Sequence, residues 1–273
     1  MAQLEHAARD TWSSKWAFIL AAAASAVGLG NLWRFPYLAA KYGGGMFLLT
    51  YLVLVFTFGL SLLLVEIALG RKTRQSTIGA FKLFGKKYAF IGILASLVPF
   101  IITPYYCVIG GWVAKYVGAY FFDPATMIGD GGTYFSSFIT SSFESYVWLF
   151  IFMAIVFFVV SRGIKGGIEK ANLIMMPALI IMTVILVVYT LCQPGALDGA
   201  AYYLVPDFSA FSIELVVAAL GQMFFSLSIG MGAMITYGSY LDKKEHLEKN
   251  ATIIVIMDTI IALVCASCPR VSR

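Results

Sequence analysis

Histidine is almost missing from this chain: only His6 and His246 occur in 273 residues, too few for a histidine metal centre. Cysteine is scarce too, with 4 residues. Cys107 and Cys192 lie in or beside apolar stretches, and the Cys265, Cys268 spacing has no second pair or neighbouring histidine, so neither a disulfide framework nor a zinc site is expected. Charge is the third shortage. Charged residues make up 12% against roughly 25% in ordinary soluble domains, while hydrophobic residues reach 60%, more apolar surface than one soluble core can hide. The net charge of +5 does not point to nucleic acid, because the basic residues sit in short loops between apolar runs. The N-terminal MAQLEHAARD has mixed charge and no small-residue cleavage site follows the first apolar run, so no removed signal peptide is expected. Paired catalytic carboxylates, a His-Glu-x-x-His run and a nucleophile elbow are all lacking, which argues against an intramembrane enzyme.

What remains is membrane-spanning sequence. Seven segments approach the roughly 20 apolar residues that a spanning helix needs: about 14 to 38, 44 to 69, 88 to 121, 145 to 161, 172 to 191, 214 to 240 and 252 to 268. The expected fold class is therefore an all-α polytopic membrane protein. Residues 70 to 88 carry Arg71, Lys72, Arg74, Lys82, Lys86 and Lys87 and no acid, whereas 121 to 144 carry Asp123, Asp130 and Glu144 and no base. Loops 161 to 172 and 241 to 250 are again lysine-bearing, and 192 to 213 has only Asp198 and Asp207. That alternation sets the N-terminus on the cytoplasmic side, with the first segment running outward and the sixth inward.

Two of these segments interrupt themselves. In the first, SAVGLGNLWRFPY (residues 25 to 37) gathers glycines, an asparagine, an arginine and a proline. In the sixth, FFSLSIGMGAMITYGSY (residues 224 to 240) concentrates serine and glycine at mid-membrane depth. An unwound backbone in hydrocarbon leaves amides and carbonyls unpaired at several kcal/mol each, so such breaks persist where protein, water or ligand satisfies them. Unwound carbonyls suit a hard cation such as sodium, and amides at a half-helix end suit a carboxylate. The competing reading is that these glycines only let helices approach closely.

Together AVGLGNLWRFPY, KYGGGMF, EIALGR, PYYCVIGGW, RGIKGGIEK and GQMFFSLSIGMGAMITYGSY, in this order over residues 9 to 262, resemble the neurotransmitter:sodium symporter family in its bacterial amino-acid branch, which has the leucine-transporter fold. The resemblance implies two inverted five-helix repeats, the first at 12 to 191 and an incomplete second at 214 to 268, within one membrane domain. It implies sodium-coupled symport of a neutral, hydrophobic or aromatic amino acid by alternating access, in a bacterial plasma membrane. A first sodium site would use the Ala26 carbonyl, Asn31, Ser226 and Asp258, and a second the Ala24 and Val27 carbonyls. The substrate carboxylate would meet the Leu29 and Gly30 amides and the Tyr106 hydroxyl, with Gly28 leaving room beside them. Its amino group would meet carbonyls of the two breaks, Ala26 included, and Ser228. Ile102, Phe225 and Met231 would line its side chain, with Phe225 as a lid. Arg34 and Gln222 resemble half of an outer gate, Arg9 and Trp12 half of an inner one. Chloride-dependent relatives hold the anion near residues matching Tyr51, Gln222, Ser226 and an asparagine that is Asp258 here, so chloride is not expected to be required.

Each of these residues also has a plainer role open to it. Asn31 and Arg34 could serve structural hydrogen bonds, Tyr106 an interfacial aromatic belt, and Phe225, Met231 and Ile102 simple packing. Asp258 could cap loop backbone. Glu66 could hydrogen-bond the unwound backbone or cap a helix end, with nothing in the sequence to choose. The last segment, from Ile253 to Cys268, is shorter than a span requires and ends in PRVSR, unlike the family's continuation. A fragment truncated within the seventh helix, inactive alone or needing a separate C-terminal partner chain, is therefore the alternative expectation.

Overall fold

The computed structural model describes residues 11–122, 131–193, 196–242 and 244–266. In chain order its helices are α1 (Lys15–Ala26), α2 (Gly30–Lys41), α3 (Gly45–Thr73), α4 (Thr77–Lys82), α5 (Lys86–Phe122), α6 (Gly131–Thr140), α7 (Ser142–Ser161), α8 (Ile164–Leu191), α9 (Ala196–Leu204), α10 (Ile213–Ser226), α11 (Ala233–Gly238) and α12 (Leu247–Ala266). Among the described residues no strand occurs, only an isolated antiparallel bridge between Gly44 and Pro206. The architecture is all-α because, in lipid, backbone amides of a spanning segment can pair only within the segment.

Four helices, α3, α5, α7 and α8, are long and apolar enough to cross a membrane, and α1 with α2, bent by 45°, makes a fifth when read as one span. The sixth expected segment is split between α10 and α11. The seventh, α12, begins at Leu247, earlier than expected, and carries Glu248, Lys249 and the buried Asp258. Its last expected residues, 267 and 268, lie outside the described residues, as do Arg9, His6 and Cys268. The connections are more ordered than their polarity suggested: α4, α6 and α9 all lie in stretches read as loops. For α6 the cause is visible, since Phe135 packs edge-on to Trp112 at 5.4 Å and Tyr134 to Tyr116 at 5.8 Å.

The described residues group into two compact units, one drawn from 11–96 and 169–266, the other from 97–168. The first buries Phe18, Phe35, Phe47, Tyr51, Leu63, Ile67, Met223, Leu227 and Met234 completely or nearly so. Its tightest approach joins α3 to α11. A Cβ on Gly70 would fall 2.0 Å from the Ile235 carbonyl oxygen, and one on Gly238 would fall 2.5 Å from the Ile67 carbonyl oxygen. Paired glycines thus let two backbones touch, the usual device where lipid offers no hydrophobic drive between helices. In the second unit the Lys115 ammonium pairs with Glu144 and lies 5.5 to 5.9 Å from the ring centres of Tyr134, Phe138 and Trp148. Its helix α7 buries no side chain and presents apolar residues all round.

Candidate functional site

The first break falls inside the stretch that the sequence singled out. Ser14 caps α1 by accepting the Ala17 amide at 3.1 Å, and the alanine-rich helix then runs to Ala26. Val27 turns extended (φ −83°, ψ 107°), and the chain resumes at Gly30 in a widened π-turn whose Asn31 and Leu32 amides both donate to the Gly28 carbonyl at 3.1 Å. The second break follows α10. Ser228, Gly230 and Gly232 adopt φ of 54°, 80° and 72°, the left-handed region that a continuing helix excludes.

The freed polar groups find partners across the chain. The Gly230 amide donates to Glu66 Oε1 at 2.7 Å, which selects the first of the two roles open to Glu66. The Thr77 hydroxyl donates to the Gly232 carbonyl at 3.0 Å. The two breaks meet directly: the Ser228 hydroxyl donates to the Ser25 carbonyl at 2.9 Å, with the Ser25 hydroxyl 3.3 Å from Ser228 Oγ. Sequence reasoning missed Thr77 and Ser25, since a hydroxyl in an apolar run ordinarily bonds its own backbone.

Beside the junction lies a polar cluster drawn from four segments. Asn31, Tyr51 and Asp258 are 0% exposed and Ser226 1%. Asn31 Nδ2 donates to Asp258 Oδ1 at 2.7 Å, and the Tyr51 hydroxyl to Asp258 Oδ2 at 3.2 Å. Ser226 Oγ stands 2.7 Å from Asn31 Oδ1 and 2.8 and 3.0 Å from the two Asp258 oxygens. One helical turn before Ser226, on the same face, buried Gln222 donates from Nε2 to the Gly30 carbonyl at 3.0 Å. Such convergence of amide, hydroxyl and carboxylate oxygens is what a hard monovalent cation takes in place of water.

Phe225 closes over the first break, its ring edge 3.2 Å from where a Cβ on Gly30 would stand, and the Arg34 guanidinium lies 4.9 Å from the ring centre. At Gly28 the same construction meets nothing within 4 Å, so space remains beside the amides that open α2. Ala24 and Val27 pack with Met176, Ile261 and Cys265, and Met231 lies half-buried within the second break. Trp12 is nearly buried at the start of α1: its indole donates to the Tyr237 carbonyl at 3.2 Å and its ring meets Tyr237 edge-on at 5.7 Å. Arg9, its expected companion, lies outside the described residues. Ile102 and Tyr106, half-buried on one face of α5, belong to the second unit. The structure therefore brings together Asn31, Ser226, Asp258 and Tyr51, and beside them Gly30, Gln222, Phe225 and Arg34.

Compared with known families, residues 9–127 and 135–268 match the model described as "Sodium:neurotransmitter symporter family". The chain belongs to that family. This symporter-family chain is 40% identical over 267 residues to an uncharacterised sodium-dependent transporter of Methanocaldococcus jannaschii, covering 92% of the chain and 53% of the relative. It is 36% identical over 256 residues to one of Bacillus subtilis, covering 92% and 57%. The human sodium- and chloride-dependent transporter XTRP3 is 28% identical over 281 residues, with 92% and 48% covered. Among solved structures, MhsT in complex with L-phenylalanine superposes with a TM-score of 0.88 at 37% identity, over 95% of this chain and 60% of that one. The chain thus spans about half the length of the curated relatives it matches. Its apolar helices and its family make it an integral membrane protein of a transporter family.

Proposed function

We propose that these residues contribute to sodium-coupled symport of a neutral, hydrophobic or aromatic amino acid by alternating access, in a plasma membrane with the N-terminus cytoplasmic. They act together with the part of the family architecture outside residues 1–273, on the same chain or a separate one. The observation that carries this reading is the meeting of two helix breaks at Ser25 and Ser228 beside the buried Asn31, Ser226 and Asp258. One sodium ion takes the Ala26 carbonyl, Asn31, Ser226 and Asp258; a second takes the Ala24 and Val27 carbonyls. The substrate carboxylate accepts from the Leu29 and Gly30 amides, where a helix N-terminus favours an anion. The open space at Gly28 suits a carboxylate and so an α-amino acid over a monoamine. Ser228 meets the amino group, and Phe225 and Met231 meet the side chain; Ile102 and Tyr106 join the substrate contacts by resemblance. Phe225 is the lid, held from above by Arg34 and Gln222, with Arg9 and Trp12 guarding the inner side. Coupling follows, because ions and substrate stabilise the same two unwound backbones.

Asp258 also supplies a fixed negative charge where chloride-dependent relatives need the anion. At about 4 Å a carboxylate and a cation attract by about 4 kcal/mol at an effective dielectric of 20, so no added chloride is required. MhsT bound to L-phenylalanine and relatives named as sodium-dependent support the substrate and ion assignments. The test reconstitutes residues 1–273 in liposomes, alone and joined to the C-terminal part of the M. jannaschii relative, and measures uptake of radiolabelled phenylalanine and leucine. Saturable uptake driven by a sodium gradient in the joined form, and none by the short chain, is expected. Uptake indifferent to sodium, or sodium-dependent binding of phenethylamine without phenylalanine, would overturn the assignment.

A further inference from the structure

The carboxylate of Glu169, at the start of α8, is 4% exposed, and both of its oxygens face Ser13: the Ser13 amide donates to Oε2 at 3.3 Å and the Ser13 hydroxyl to Oε1. Ser13 itself is exposed and immediately precedes the cap of α1. It lies just outside the helix, where the α1 dipole still favours an anion. Further along, Ala23 and Val27 of α1, with Leu20 and Ala24 beside them, pack on Met176, Leu179 and Ile180 of α8. Residues 169, 176 and 180 lie on one face of α8, so a single stripe runs from the polar contact to the carbonyls assigned to the second sodium.

We propose that Glu169 is a positioning residue of the inner gate: its contact with Ser13 latches the free end of α1, and opening toward the inside begins with its release. The gating role rests on the transport reading above; the latch does not. Beyond Ala26 the helical ladder stops, so α1 is joined to α2 through the non-helical Val27 and Gly28. Twelve residues at 1.5 Å each make a lever of about 18 Å, and a rotation of about 10° at the break moves its far end by about 3 Å, enough to part Ser13 from Glu169. The apolar stripe nearer the break moves far less. The latch, with the Trp12 contacts to Tyr237 and Tyr240 beside it, therefore yields before the stripe, and its release leaves a buried carboxylate without these two donors, a cost that holds the gate shut.

Amide hydrogen exchange of the purified 1–273 chain in lipid nanodiscs, free of sodium and substrate, is the decisive measurement. Glu169→Ala, which removes the acceptor of both contacts, should speed exchange across residues 11–20 about ten-fold, while Ser13→Ala, which keeps the backbone amide contact, and Glu169→Gln should each give a smaller rise. The double variant should match Glu169→Ala and go no further, because removing the carboxylate already removes both contacts. Residues 213–226 serve as the control, and a variant that speeds them equally has unfolded and counts against a local latch. Unchanged exchange over 11–20, or additive effects, overturns the proposal. In the joined, transporting form, Ser13→Ala should raise the sodium concentration for half-maximal uptake several-fold at an unchanged maximal rate. If wild type shows no sodium-driven uptake while the exchange results hold, the transport reading fails and the latch stands.

Discussion

Gly28 and Gly30, two positions apart, are distinguished by what a methyl group would meet. Gly28→Ala adds a Cβ into open space, so the fold should survive while phenylalanine affinity in the joined form falls about 10-fold or more, because the methyl takes volume proposed for the carboxylate. Gly30→Ala presses the Phe225 ring at 3.2 Å and should perturb lid closure as well as binding; equilibrium binding beside thermal unfolding separates the two cases. Asp258→Asn is the second residue-level test. Replacing chloride by gluconate should leave wild-type uptake unchanged but lower that of the variant several-fold, since the neutral amide no longer supplies the charge. Asn31 and Asp258 were legible in sequence because strongly polar groups inside apolar runs are costly to bury without a purpose. Ser13, Ser25 and Thr77 were not, for hydroxyls in apolar helices commonly return to their own backbone. Thr50 bonds the Met46 carbonyl at 2.9 Å and Ser61 the Thr57 carbonyl at 2.8 Å, so a serine or threonine there carries no signal of its distant partner.

The two broken helices could be read as elements because glycine, serine and asparagine disrupt an apolar pattern visibly. The seating of α11 on α3 could not, since it depends on Gly70 and Gly238 meeting across a sequence separation that no local pattern reports. Gly70→Ala would drive a methyl group into the Ile235 carbonyl at 2.0 Å, and thermal unfolding in detergent should show a loss of about 1–3 kcal/mol, as for an overpacked contact. A pH test belongs to the turn after α9. Asp207 accepts from the Ser209 hydroxyl at 2.6 Å and the Ser209 amide at 2.9 Å, and these bonds hold its carboxyl below the ordinary aspartate range. With the folded value depressed, the turn is stabilised at neutral pH and loses that stabilisation as pH falls through the folded value, below about pH 4. Exchange of the Ser209 amide should accelerate, beyond its intrinsic pH dependence, over that window in wild type and show no such step in Asp207→Ala.

For the molecule as a whole, composition and charge alternation established that lipid is the surrounding medium, and the structure adds how completely. On α7, Phe150 is 64% exposed near the helix centre, and Phe150→Arg should reduce membrane insertion by an apparent 2.5 to 3.5 kcal/mol or so, read by glycosylation mapping or carbonate extraction. How the proposed site is completed by groups outside residues 1–273 was not legible at this scale, because such groups leave no pattern in these helices. The length of α7 carries one more consequence. Its 20 residues rise about 30 Å, matching an average hydrocarbon core with nothing to spare. A helix of that length has no spare apolar turn when the core thickens, so the bilayer must thin around it or its ends must be drawn inward. Acyl-chain length should then act on this protein as a control variable: its thermal stability should peak in bilayers near that thickness and fall in longer-chain lipids, even with sodium and amino acid held constant.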